Sequence, residues 1–151
     1  MTPPTRRAAL LGALAVSATA SVALAKARDL TVYKTPWCGC CSGWVTHIRR
    51  AGFAATVVEL EDLAPVRARH GIPFEQSSCH TAVTGGYAIE GHVPPADVLR
   101  LLRERPKARA LIVPGMPIGS PGMETPRGER EPFDVLLLLP NGKTRVFARH
   151  A

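Results

Sequence analysis

Aromatic side chains are scarce in these 151 residues, at 5%, and acidic ones are outnumbered, 12 Asp and Glu against 19 Lys and Arg. The formal charge is +7. Such a balance raises the question of a nucleic-acid surface. Only Arg49-Arg50 forms a tight basic pair in the mature chain, however, and few rings are present to stack on bases. A solvated basic surface is expected, with no nucleic acid as partner. No glycine-rich phosphate loop, nucleotide-binding fingerprint or Ser-His-Asp signature is present, which removes the commonest hydrolase and nucleotide-dependent classes.

A strongly apolar run is also lacking. Arg6 and Arg7 precede an Ala-rich stretch, Ala8 to Ala25, that is broken by Ser17, Thr19 and Ser21 and closes on Ala23-Leu24-Ala25. That stretch is weakly hydrophobic for a bilayer span and has the A-x-A ending of a cleaved export signal. Residues 1–25 are therefore expected to be a signal peptide, leaving no membrane span after cleavage and placing the mature chain in the periplasm. Thr5-Arg6-Arg7 partly matches a twin-arginine signal, which carries folded proteins, and an ordinary secretory route stays open. Cleavage removes two arginines and no acids, so the mature charge is about +5. The remaining length suits one hydrophobic core, and nothing in it demands more than a monomer.

Along the mature chain, Leu30 to Tyr33 reads as a strand. It leads into Cys38-Gly39-Cys40-Cys41 and then a helix with Trp44, Val45 and Ile48 on one face, closed by Gly52. Phe53 to Leu60 is a second strand, and Asp62 can cap a short helix from Val66 to His70, ended by Gly71. Cys79 to Thr84 and Tyr87 to Val93 flank Gly85-Gly86 as a hairpin, and Pro94-Pro95 opens a helix bearing Val98, Leu101 and Leu102. The order βαβα-ββα, with a cysteine pair between first strand and first helix, is that of an α/β thioredoxin-like domain, expected over 26–106. A C-terminal extension over 107–151 packs on the same domain. Its residues 107–132 are turn-rich, with few strand or helix signals, and Phe133 to Leu139 pairs with Thr144 to Ala148 across Asn141-Gly142.

Cysteine is rare but concentrated, with three of the 4 residues inside Cys38-Gly39-Cys40-Cys41. At a helix start, unpaired amides and the dipole favour thiolate, the form that acts as nucleophile and metal ligand. Cys38 and Cys41 are the redox-active candidates. A third adjacent thiol complicates simple dithiol exchange but suits a cluster in which thiolates bridge ions. Cys79 begins the strand expected beside the first helix start, so the four sulfurs can converge, with His80 and His92 close by. Met116 and Met123, on the turn-rich loop, add two thioethers. Thiolate with thioether selects Cu(I), and imidazole also accommodates Cu(II), whereas zinc gains little from methionine. The expected ligands are Cys38, Cys40, Cys41, Cys79, Met116, Met123, His80 and His92, holding copper as Cu(I) or Cu(II) in a multinuclear thiolate-bridged cluster.

Against this stand plainer roles. Four exported cysteines can form two disulfides, although their crowding makes poor stapling. A metal-free thiol-disulfide oxidoreductase and a copper chaperone or sequestering protein without redox turnover are both alternatives. His47 and His70 are assigned to the surface and Trp44 to the core, while Trp37 is expected to cover the cluster. Glu59, Glu61 and Asp62 read as a solvated strand end and cap.

Several separated segments resemble the CopG-type copper-resistance family, recognised by a CxCC motif. They are Val32-Tyr33-Lys34, Trp37 to Cys41, Ser78 to Val83, Glu90 to Pro94, and Val113-Pro114-Gly115-Met116-Pro117 with Gly119 to Glu124. The resemblance implies a thioredoxin-like domain with a metal-binding extension, cysteine-bridged copper and a role in interconverting Cu(I) and Cu(II) during envelope copper detoxification. By position that role falls on Cys38, Cys40, Cys41 and Cys79, with Met116 or Met123 nearby. Envelope copper-efflux or copper-handling proteins are the implied partners. No proline directly precedes Cys79, which departs from thioredoxins proper.

Overall fold

The computed structural model describes residues 28–151, so the signal peptide expected at 1–25 lies outside them. Its elements are β1 (Arg28–Lys34), α1 (Gly39–Arg50), β2 (Phe53–Glu59), α2 (Ala64–His70), a single 3-10 turn (Phe74–Gln76), β3 (His80–Thr84), β4 (Tyr87–Glu90), α3 (Pro95–Glu104), β5 (Ala110–Ile112), β6 (Phe133–Leu138) and β7 (Thr144–His150). The strands form one mixed sheet in the order β2-β1-β3-β4-β5-β6-β7. β1 runs parallel to β2 and antiparallel to β3, β3 is antiparallel to β4, and β4 is parallel to β5.

Alternation along the strands sends side chains to two faces. Leu30, Val32, Ala82, Ile89, Leu111, Val135 and Leu137 meet Trp44, Val45 and Ile48 of α1 and Val98 and Leu101 of α3 in the main core. On the opposite face Ala88, Ala110, Ile112 and Leu138 pack with Ile72. Burial on both sides accounts for the unbroken apolar run in β6, since a strand covered on each face needs no polar alternation. None of the helices among the described residues is long and apolar enough to cross a membrane.

The element boundaries differ from the sequence reading in three informative places. α1 begins at Gly39, so Cys40 and Cys41 lie in its first turn and Cys38 at its N-cap. α2 starts two residues ahead of Val66, with Leu63 and not Asp62 at its N-cap; Asp62 lies one residue further out and accepts from the Ala64 amide at 2.8 Å. β5 lies inside the stretch expected to carry few strand signals. Three residues are too short to show a period, and Ala110 to Ile112 is a strand because β4 and β6 flank it and take up its backbone groups.

Candidate metal centre

The first turn of α1 contains no acidic residue, and Cys38 makes no capping bond. The helix amides therefore face the thiols without competition. Cys38 and Cys41 are joined as a disulfide with Cα atoms 5.5 Å apart, while Cys40 and Cys79 are free. Cys40 Sγ lies 3.5 Å from Cys38 Sγ and 3.7 Å from Cys79 Sγ. Cys41, fully buried, has its Sγ 3.5 Å from the Cys79 carbonyl. All four sulfurs lie within 4.8 Å of one another.

Cys79 also belongs to a second set, with His80 and His92. Its Sγ is 3.0 Å from His92 Nε2 and 3.4 Å from His80 Nδ1. The other nitrogen of His92, Nδ1, is 2.9 Å from the Pro121 carbonyl oxygen, which can only accept. Nδ1 therefore carries the proton and Nε2 presents a lone pair to Cys79. Burial, with the Cys40 charge next, pushes the Cys79 thiol up to about 12, so it is protonated and its S–H donates to that lone pair. His80 is fully buried against the Trp44 ring, with centroids 4.4 Å apart. Burial, the neighbouring His92 and the Arg67 charge lower it to about 3, so it is neutral, and its Nε2 has no partner.

Cys79 lies in the loop just before β3, and a buried polar clamp fixes that loop. Glu90 on β4 accepts from the Ser78 amide at 2.7 Å, from Arg67 Nε at 2.9 Å and from Thr81 Oγ1 at 2.5 Å. Arg67 on α2 also donates Nη2 to the Ser78 carbonyl. Desolvation raises the Glu90 carboxyl, against the pull of these donors. Nothing in the sequence connects these two residues, although Glu90 opens one of the segments that carry the family resemblance. An isolated Arg in a short polar helix and a Glu at a strand end show their relationship only once the sheet brings them together.

The turn-rich segment docks on α1. Gly122 takes φ +90°, and a Cβ there would sit 2.6 Å from both the Cys40 carbonyl oxygen and the Trp44 amide. Opposite it, Gly43 has room for little more, with the Gly122 Cα 3.0 Å from where its Cβ would be. This close approach places Pro121 against His92. Glu124 secures it, accepting from the Gly122 amide at 3.0 Å and pairing with His47 at 2.5 Å. His47 is half-exposed, as a surface assignment would have it, but it holds the loop.

Met116 is half-exposed and lines an open cleft of about 420 Å³ together with Trp37, Cys38, Cys40 and Cys79, and Met123 does not line it. Glu61, Asp62 and Arg67 complete one side of this cleft. Trp37, 71% exposed, edges the thiols without sealing them. Trp44 is fully buried and donates Nε1 to the Val93 carbonyl at 2.8 Å. No cis peptide bond occurs among the described residues.

Two free thiols, an oriented imidazole lone pair and an unpartnered buried ring nitrogen suit a soft metal better than a structural core. The 3.7 Å between Cys40 and Cys79 is also what two thiolates ~2.3 Å from one tetrahedral ion would show. Fold and site together define an α/β protein with a thiol-imidazole metal-binding cluster.

The chain belongs to the CopG copper-resistance family. It is 40% identical to a solved structure of a copper resistance protein CopG in one form, over 82% of this chain and 98% of that one, with a TM-score of 0.77. A second form is 39% identical over 83% and 99%, with a TM-score of 0.78. Residues 76–123 also match DUF411, a family described as proteins of unknown function. No curated protein matches the chain.

Proposed function

We propose that this chain is an exported, periplasmic copper-binding protein of thioredoxin-like architecture that interconverts Cu(I) and Cu(II) in copper resistance. The observation that carries the reading is the double membership of Cys79, whose one sulfur closes the four-cysteine set and the Cys79-His80-His92 set. The sulfur side favours Cu(I) and the imidazole side accommodates Cu(II), so a shared thiolate joins two donor sets suited to the two oxidation states of the substrate ion. Strand order β2-β1-β3-β4, with the cysteine pair at the N-cap and first turn of the helix that follows β1, supports the thioredoxin-like reading.

The chain's own residues divide the work. Cys40 and Cys79 supply free thiols, Cys79 giving up its Sγ proton on binding. His92 offers Nε2, held in place by the Pro121 carbonyl. Met116 stands at the cleft rim, where a neutral thioether can hand a soft ion inward. The names of the CopG structures support copper over zinc.

A second reading, thiol-disulfide exchange on protein substrates, is favoured by the Cys38–Cys41 disulfide with Cys38 at the open cleft. Elemental analysis of mature protein from copper-supplied cells separates the two. Copper in the parent, cut more by Cys79→Ser than by Met116→Ala, supports the copper reading; copper-free protein that reduces disulfides at an undiminished rate in Cys79→Ser overturns it.

A further inference from the structure

We infer that the Cys38 and Cys41 dithiol is the electron source that reduces Cu(II), while Cys40, Cys79 and His92 form the seat that keeps the product. The inference deepens the copper reading and rests on it. The four cysteines are not equivalent: two are joined to each other, and the two left free are those leading to the imidazoles. Cys79 touches both histidines, and Cys40 stands between the pairs, 3.5 Å from Cys38 Sγ and 3.7 Å from Cys79 Sγ. Van der Waals contact thus runs from the disulfide to the imidazole side with no intervening group.

The electron balance closes on the chain itself. The two thiols of Cys38 and Cys41 lose two protons and two electrons, the S–S bond forms, and two Cu(II) ions take one electron each to become Cu(I). Afterwards the Cys40 and Cys79 sulfurs are still unoxidised and, with the oriented imidazole, remain available to hold Cu(I).

Recovery requires an external dithiol, and the two sulfurs differ in how they meet it. Cys38 is half-buried and lines the cleft, whereas Cys41 is sealed. The external thiolate therefore attacks Cys38 Sγ, and Cys41 leaves as a thiolate in the first turn of α1, where the helix amides stabilise it. A second thiol of the same reductant then releases Cys38, so the reductant departs as a disulfide and both chain thiols return.

The test mixes fully reduced, metal-free mature protein with Cu(II) under anaerobic conditions. Cu(I) is read with a selective chromogenic chelator, Cu(II) by its paramagnetic resonance signal, and the sulfur by thiol titration and disulfide mapping. The expected result is about two Cu(I) formed per Cys38–Cys41 disulfide, with Cys40 and Cys79 still titrating as thiols. Cys38→Ser, which puts a favoured N-cap residue at that position and so keeps the helix, is expected to slow reduction at least ~10-fold, and Cys41→Ser likewise. A Cys40–Cys79 or interchain disulfide, Cu(I) without thiol loss, or undiminished reduction in both serine variants overturns the inference while leaving copper binding intact. Protein that retains neither oxidation state overturns the copper reading itself.

Discussion

His92 Nδ1 donates to the Pro121 carbonyl at 2.9 Å, and that bond decides which ring nitrogen faces Cys79. A residue of the turn-rich segment therefore orients a side chain at the end of the β3–β4 hairpin. The dependence runs through Gly122, whose φ of +90° and contacts with α1 leave no room for a side chain. Gly122→Ala is expected to cost about 2 kcal/mol or more, from the left-handed backbone and the clash together, read as a lower urea midpoint. It should also mix the His92 tautomers, visible in the nitrogen chemical shifts of the metal-free protein. Shifts identical to the parent's would show that Pro121 does not set the tautomer.

Arg67 and Glu90 make a second prediction. The Glu90 carboxylate is completely buried and Arg67 is 19% exposed, so removing the cation strands a charge in the sheet. Arg67→Ala is expected to destabilise the protein by about 3 kcal/mol, and Arg67→Lys to recover only part of it. An ammonium cannot span Glu90 and the Ser78 carbonyl as the guanidinium fork does. Copper affinity should fall in both variants, because the Ser78-Cys79 loop loses its anchor. Equal stability for Arg67→Lys and the parent, by chemical denaturation, would argue against the clamp.

Elements with their own sequence signal were legible. The cysteine cluster before α1, the Gly85-Gly86 hairpin, the Pro-initiated α3 and the Asn-Gly hairpin all carry local chemistry that dictates local geometry, and their cores follow from period. The convergence of Cys38, Cys40, Cys41, Cys79, His80 and His92 could be anticipated from the strand order expected of the first half. What was not legible depends on distant pairing. β5 exists through its neighbours, the Arg67-Glu90 clamp spans two elements, and Gly43 with Gly122 shows its meaning only when helix and loop touch. Met116 and Met123 looked alike in sequence, and the structure separates them by cleft position.

The stability of the metal-free protein should depend on pH through His80. Its folded value is lowered from 6.5 to about 3, chiefly by burial, and His92 shifts the same way. In this range the unfolded chain binds protons that the folded chain does not, so stability is full above about 6.5 and is lost as pH falls toward 3. Glu90, raised by burial, acts in the opposite sense above its ordinary carboxyl value and offsets part of that loss. Chemical denaturation across this range should show a loss of a few kcal/mol. His80→Gln should flatten much of the profile, and an unchanged profile in that variant would show that other groups drive acid unfolding.

Copper loading is expected to follow the opposite protonation logic at Cys79. A thiol pushed up to about 12 enters the binding equilibrium protonated, and ligation must release that proton. His80 and His92, both lowered, are already neutral above pH 6.5 and add no slope there. Affinity for Cu(I), measured by chelator competition between about pH 7 and 9, should therefore rise with pH more steeply in the parent than in Cys79→Ser. The difference expected is about one proton, which is about tenfold per pH unit. Equal slopes would mean that Cys79 is not the thiol that ionises on binding, and would move the bridging role to Cys40.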